Sequence, residues 1–160
     1  ILLNTKGPGG HGLFEATSEK QIYAFNFVGN SVMHGVRLAG GSRPTVRNRG
    51  TFGRGGHTVW GNLLSGPLQQ QISAAGKNNI VEGNLEQGIT CNFDEKLMAL
   101  TITVNRELPE VKEVPGMDLD YSGKPRISRG KAVAGPFQNL KKGITETFSI
   151  DPREMKCNNH

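Results

Sequence analysis

The chain has 160 residues, 35% of them apolar, with 22 glycines and 8 prolines. That is enough to bury a core and too punctuated for a bundle of long helices. Lys and Arg outnumber Asp and Glu by 19 to 14, for a formal charge of +5, which favours anionic partners without dictating a fold.

No apolar run is long enough to span a membrane as a helix, and nothing reads as a signal peptide. The first residue is Ile1, as removal of a secretory leader or a trimmed start would leave it. Ile1–Asn4 reads as a short strand and Lys6–Gly12 as loop. Gln21–Val28 (QIYAFNFV) is apolar on both sides and reads as one strand buried on both faces. Gly29 and Asn30 then make a tight turn into Ser31–Leu38, where Val32, His34, Val36 and Leu38 share a face. In that row His34 reads as a hydrogen-bonded core residue.

Residues 39–56 form a loop rich in glycine and arginine. Arg43, Arg47, Arg49 and Arg54 make it a candidate anion-binding patch, similar in chemistry to an RNA-binding Arg-Gly box but short and unrepeated. Its plainer reading is a solvated loop. His57–Leu64, with the single Trp60, reads as another strand. Ser65–Gly76 fits either a helix start or a strand through Ile72, and Asn79–Gly83 is a short strand.

Residues 88–105 carry the strongest signal. Ile89, Cys91 and Phe93 alternate with polar residues, and so do Met98, Leu100, Ile102 and Val104. Period-two alternation on both arms predicts a hairpin with one face in the core. With Asp94 and Glu95 as the loop, Cys91 faces Met98 and Ile89 faces Leu100; Asp-Glu is not a favoured two-residue turn, so a longer loop stays open. Residues 107–134 are a long irregular excursion, and Ile144–Ile150 is the last core strand. These elements predict a single all-β domain over residues 1–160.

Charge is uneven. No Asp or Glu occurs from Lys20 to Val81 or from Gly123 to Gly143, whereas Glu107, Glu110, Glu113, Asp118 and Asp120 lie between. Either the basic stretches form one anion-binding surface or the two signs meet and neutralise. Cys91 and Cys157 read as a disulfide tying the tail to the core in an oxidising compartment; two unrelated thiols are the alternative.

The four histidines and two cysteines lack metal-ligand spacing, so no metal or cofactor is expected. There is no nucleophile elbow or phosphate loop. One enzyme reading remains: His11 and His57, expected to be exposed in glycine-rich loops, or one of them with Glu15, pass protons while arginines such as Arg49 and Arg54 hold phosphate, as in a cationic secreted ribonuclease. A membrane-acting toxin or receptor-binding domain is a further alternative.

Three segments together resemble the jacalin-related lectins: GPGGHGLFE (7–15) with IYAFNFVGNSVMHGVRL (22–38), TFGRGGH (51–57) and LMALTITVNRE (97–107). The resemblance implies a β-prism of three four-stranded sheets that binds sugars without metal. A two-sheet β-sandwich or jelly roll is the alternative architecture. In that family a Gly-x-x-x-Asp loop supplies a carboxylate for vicinal hydroxyls while nearby glycines let backbone N–H groups approach. Gly116-Met117-Asp118-Leu119-Asp120 fits that spacing, though it follows the LTITVN strand sooner than the family's loop does. The expected ligand contacts are therefore Gly9, Gly10, Asp118, Asp120 and Tyr121. The expectation is a secreted, non-catalytic, lectin-like module for acidic or sulfated glycans, with homo-oligomerisation open and nucleic acid a partner only under the ribonuclease reading.

Overall fold

A computed structural model describes residues 1–5, 10–15, 20–38, 55–112, 114–126, 131–151 and 153, and these form strands and no helix. Nine short strands come first: β1 (Leu2–Leu3), β2 (Leu13–Glu15), β3 (Ile22–Ala24), β4 (Phe27–Gly29), β5 (Val36–Leu38), β6 (Thr58–Trp60), β7 (Leu63–Leu64), β8 (Ile72–Ala74) and β9 (Ile80–Glu82). They pair every third: β1–β4–β7, β2–β5–β8 and β3–β6–β9 are three parallel sheets. The chain therefore visits three sheets in turn and winds as a parallel β-solenoid. Leu85 opens the next turn by bridging to Leu63.

The all-β expectation holds, but neither a β-prism nor a sandwich of neighbouring hairpins describes this pairing. Gln21–Val28 is two strands in different sheets, because the chain turns a corner at Phe25, whose φ is 54°. His57–Leu64 likewise divides at Gly61, with φ of 61°. Gly29-Asn30 makes no hairpin; Asn30 turns the chain into the next sheet, and only Val36–Leu38 of the following stretch is strand.

Burial follows the winding. Leu2, Val28 and Leu64 stack in register and point inward, meeting Val36, Leu38, Val59 and Ile72 in the solenoid core. Their neighbours Phe27 and Leu63 point outward from the same sheet, and Leu85 joins them. That outer row is covered by an antiparallel sheet of β10 (Ile89–Asp94), β11 (Ala99–Val104) and β14 (Thr145–Ser149), with Leu100, Ile102 and Val104 fully enclosed. One solenoid sheet is thus buried on both faces.

The central hairpin forms with Ile89 opposite Val104, Cys91 opposite Ile102 and Phe93 opposite Leu100. Its loop is Glu95–Met98 and not Asp94-Glu95, because the Asp94 carboxylate accepts the amides of Lys96 (2.9 Å) and Leu97 (3.1 Å). The displacement is an even number of residues, so the same side chains stay inside. The excursion at 107–134 contains a second antiparallel pair, β12 (Glu110–Lys112) and β13 (Lys131–Val133). Its Val111 lies over the solenoid corner of Phe25, Gly61 and Gly83; a Cβ on Gly83 would sit 2.1 Å from Val111 Cγ1. Acidic and basic segments meet here in two surface pairs, Lys131–Glu110 and Lys142–Glu107, which contribute little to stability.

The corners are held by polar ladders. Asn62 is fully buried, and its Oδ1 accepts the backbone amide (2.9 Å) and carboxamide (3.0 Å) of Asn26 in the preceding turn. The Asn62 carboxamide donates to Asn84 Oδ1 and to the Tyr23 carbonyl, both at 2.8 Å, and its own backbone amide goes to Asn84 Oδ1. A stack of asparagines satisfies backbone groups that no sheet can reach. We expect Asn62→Ala to cost at least about 3 kcal/mol in chemical denaturation, since several buried groups lose partners at roughly 1–3 kcal/mol each. A loss below about 1 kcal/mol would contradict the ladder's role.

Candidate functional site

The loop at residues 114–126 is folded on itself. Leu119 bridges Pro125, the Asp120 amide donates to the Lys124 carbonyl, and the Arg126 amide donates to the Asp118 carbonyl. Asp120 is the post around which it forms. Its Oδ1 accepts the amides of Ser122 (2.8 Å) and Lys124 (2.9 Å), and its Oδ2 accepts that of Gln138 (3.0 Å). The carboxylate expected to receive sugar hydroxyls is buried and spent on three backbone donors. Asp-x-Ser and Asp-x-x-x-Lys amide contacts are local turn chemistry, which is why a Gly/Asp-rich stretch folds this way.

Arg126 follows directly. Its Nη1 donates to the Gly135 carbonyl (2.7 Å) and its Nη2 to the Leu119 carbonyl (3.3 Å), while its guanidinium lies 4.2 Å over the Phe25 ring. The Gly135 amide in turn donates to the Gly61 carbonyl, so the loop is pinned to the solenoid corner. Burial pushes the Arg126 pKa down and the charge of Asp120 raises it again in part. A cavity of about 630 Å³ opens beside this arginine, lined also by Glu110, Lys131 and Gln138, with Pro125 and Ala132 among its apolar residues. Gln138 is oriented by the Val133 backbone through both ends of its amide.

The other expected contacts disperse. Asp118 is exposed on the loop; Tyr121 is half-buried, edge-on to Phe137 at 5.5 Å, and burial raises its pKa. Gly10 is buried, its carbonyl accepting from Met33 and Thr5. Gly9 and the patch of Arg43, Arg47, Arg49 and Arg54 lie outside the described residues, as does Cys157. Cys91 is a free cysteine, half-buried, with its pKa raised by that burial and lowered in part by a hydrogen bond with Ser65.

The two histidines of the ribonuclease reading serve separate environments. His57, expected in an exposed loop, is 2% exposed. Its Nδ1 accepts the Gln21 amide (3.3 Å), and its own amide donates to Asn79 Oδ1 (3.0 Å). It is a rung of a second ladder. His11 instead stacks on His34 with ring centroids 5.4 Å apart, and its Nε2 lies 3.0 Å from Arg37 Nη1. Because a guanidinium can only donate, that nitrogen is the acceptor and His11 is held neutral. Among the described residues no three His, Cys, Asp or Glu side chains gather as a metal-binding group.

Of the loop at 114–126, Pro125 and Arg126 line the cavity, whereas Asp118, Asp120 and Tyr121 are not among its lining residues. Arg126, Lys131, Glu110 and Gln138 were hidden in a segment with no alternation. The available signal was Arg126 itself, an arginine close behind an Asp-rich turn. Comparison with family models, curated proteins and solved structures finds no match to this chain.

Burial first, then the charge of Arg37 and then His34, hold the His11 pKa below its ordinary value, against a partial lift from a backbone hydrogen bond with His34. The unfolded chain therefore binds this proton more readily than the folded one. Stability should be full above about pH 6.5 and fall as pH drops from there through the lower folded value. Denaturation midpoints at pH 7.5 and 5 should converge in His11→Asn relative to the unmodified protein; an unchanged pH difference would contradict this assignment.

Proposed function

We propose that this chain is a non-catalytic carbohydrate-binding module that takes its ligand in the cavity beside residues 114–126. The observation that carries the reading is the convergence of a carboxylate, an amide and two cations, Glu110, Gln138, Lys131 and Arg126, on one cavity of about 630 Å³ with apolar residues in its wall. Vicinal hydroxyls need acceptors and donors close together, and a sugar's C–H faces need an apolar surface. The site is built on the β12–β13 ribbon and on a loop braced by Asp120, so its side chains are positioned before a ligand arrives.

This reading rests on the cavity and not on a β-prism. It moves the ligand contacts from the Asp118/Asp120 carboxylates to Arg126 at the end of the same loop and to Glu110, Lys131 and Gln138. The ribonuclease alternative loses its second histidine to the core. Placement outside the cell remains part of the lectin proposal, but it no longer draws support from a Cys91–Cys157 bridge, because Cys91 is a free thiol.

Retention on a panel of immobilised neutral, uronate-bearing and sulfated glycans at low salt tests the proposal. We expect binding of at least one glycan class, weakened about tenfold or more in a Lys131→Ala variant, since it removes a charged hydrogen-bonding group. Lys131 is exposed, so the fold should be unaffected. No retention of any glycan would sink the reading.

A further inference from the structure

Arg126 is 6% exposed, and its Nε–H has no hydrogen-bond partner among the described residues. Its two other bonds go to neutral carbonyls, and it makes no ion pair among the described residues. The nearest carboxylate whose charge reaches it, Asp120, is committed to the amides of Ser122, Lys124 and Gln138. A buried guanidinium with an empty donor is costly unless something pairs with it. Asp120 and the Phe25 ring offset part of that cost through space.

The fork formed by Nε and Nη2 is the edge of an arginine that matches the two oxygens of a carboxylate. Here that edge carries one unused donor and one long bond, Nη2 to Leu119 at 3.3 Å. The same arginine lines the cavity, and Lys131 stands at it already paired with Glu110. From these facts the geometry points to a carboxylate-bearing sugar, a hexuronate, as the ligand of this cavity, with Arg126 as receptor for the carboxylate and Lys131 as the second cation. The inference rests on the carbohydrate reading above. The Nε–H is enclosed, so the carboxylate takes this edge as the weak bond to Leu119 yields. Glu110 then acts as a built-in competitor: its carboxylate occupies Lys131 until the ligand replaces it.

The test is a titration of the nitrogen-15-labelled protein with hexuronate oligosaccharides, their methyl esters and the corresponding neutral oligosaccharides, following the Arg126 Nε–H resonance. Acetate and sulfate serve as free-anion arms. The uronate should shift that resonance saturably and bind about tenfold or more tightly than its ester. Lys131→Ala should weaken uronate binding by a much larger factor than the ester's, and Glu110→Gln should tighten uronate binding by releasing Lys131. Equal binding of acid, ester and neutral sugar with Arg126 unmoved would overturn the inference and leave the carbohydrate reading standing. Acetate or sulfate binding as tightly as the uronate would overturn it too, by making this a general anion site. Binding of none of the sugars would remove both.

Discussion

The buried Asn62 carboxamide holds together the two halves of this molecule's design. Every turn of the solenoid must leave one sheet and enter the next, and at each corner the backbone turns groups inward that no ladder of strands can pair. Asn26, Asn62 and Asn84 answer that need, each rung spending its side chain on the turn beside it. Strands of two or three residues are too short to pair stably alone. They persist because stacked turns share one core and one set of polar rungs.

From that constraint the position of the cavity follows. A corner built on Phe25, Gly61 and Gly83, all at positive φ, presents a narrow outer ridge with two residues lacking side chains. The β12–β13 ribbon lays Val111 on that ridge, and Gly135 donates to Gly61 beside it. Arg126 then stacks on Phe25. The site is assembled on the outside of that corner. The solenoid sheet next to it is covered by the antiparallel sheet, where Phe137 stacks on Phe148 at 3.6 Å. Lys131, Glu110 and Arg126 can therefore carry charge beside an apolar body without disturbing it.

The antiparallel sheet was legible in the sequence because Ile89–Phe93, Leu100–Val104 and Ile144–Ile150 alternate in runs long enough to show their period. The solenoid was not. Its strands are shorter than the window in which a period can be seen, and their corners carry apolar residues such as Phe25 that make two strands read as one. The turns are of unequal length, which conceals the repeat. The surviving trace is chemical: Phe25-Asn26-Phe27, Gly61-Asn62-Leu63 and Gly83-Asn84-Leu85 each place a positive-φ residue, an asparagine and an outward apolar residue in order. The loop at 116–121 drew notice through its aspartates, yet aspartates in a glycine-rich turn most often serve the turn, as Asp120 does. His57 misled for the related reason that glycines before it suggested exposure, whereas they let the chain bend so that the imidazole could enter a ladder.

The parallel winding is the claim on which the site, the ladders and the proposed ligand all depend. Interstrand proton contacts in solution test it most directly. The account predicts amide-to-Hα contacts in parallel register between Phe27–Val28 and Leu63–Leu64, alongside the close Hα–Hα contacts of an antiparallel pair between Ile89–Asp94 and Ala99–Val104. Close Hα–Hα contacts pairing Phe27–Val28 with residues 31–38 would show a hairpin there instead, and the solenoid would be wrong.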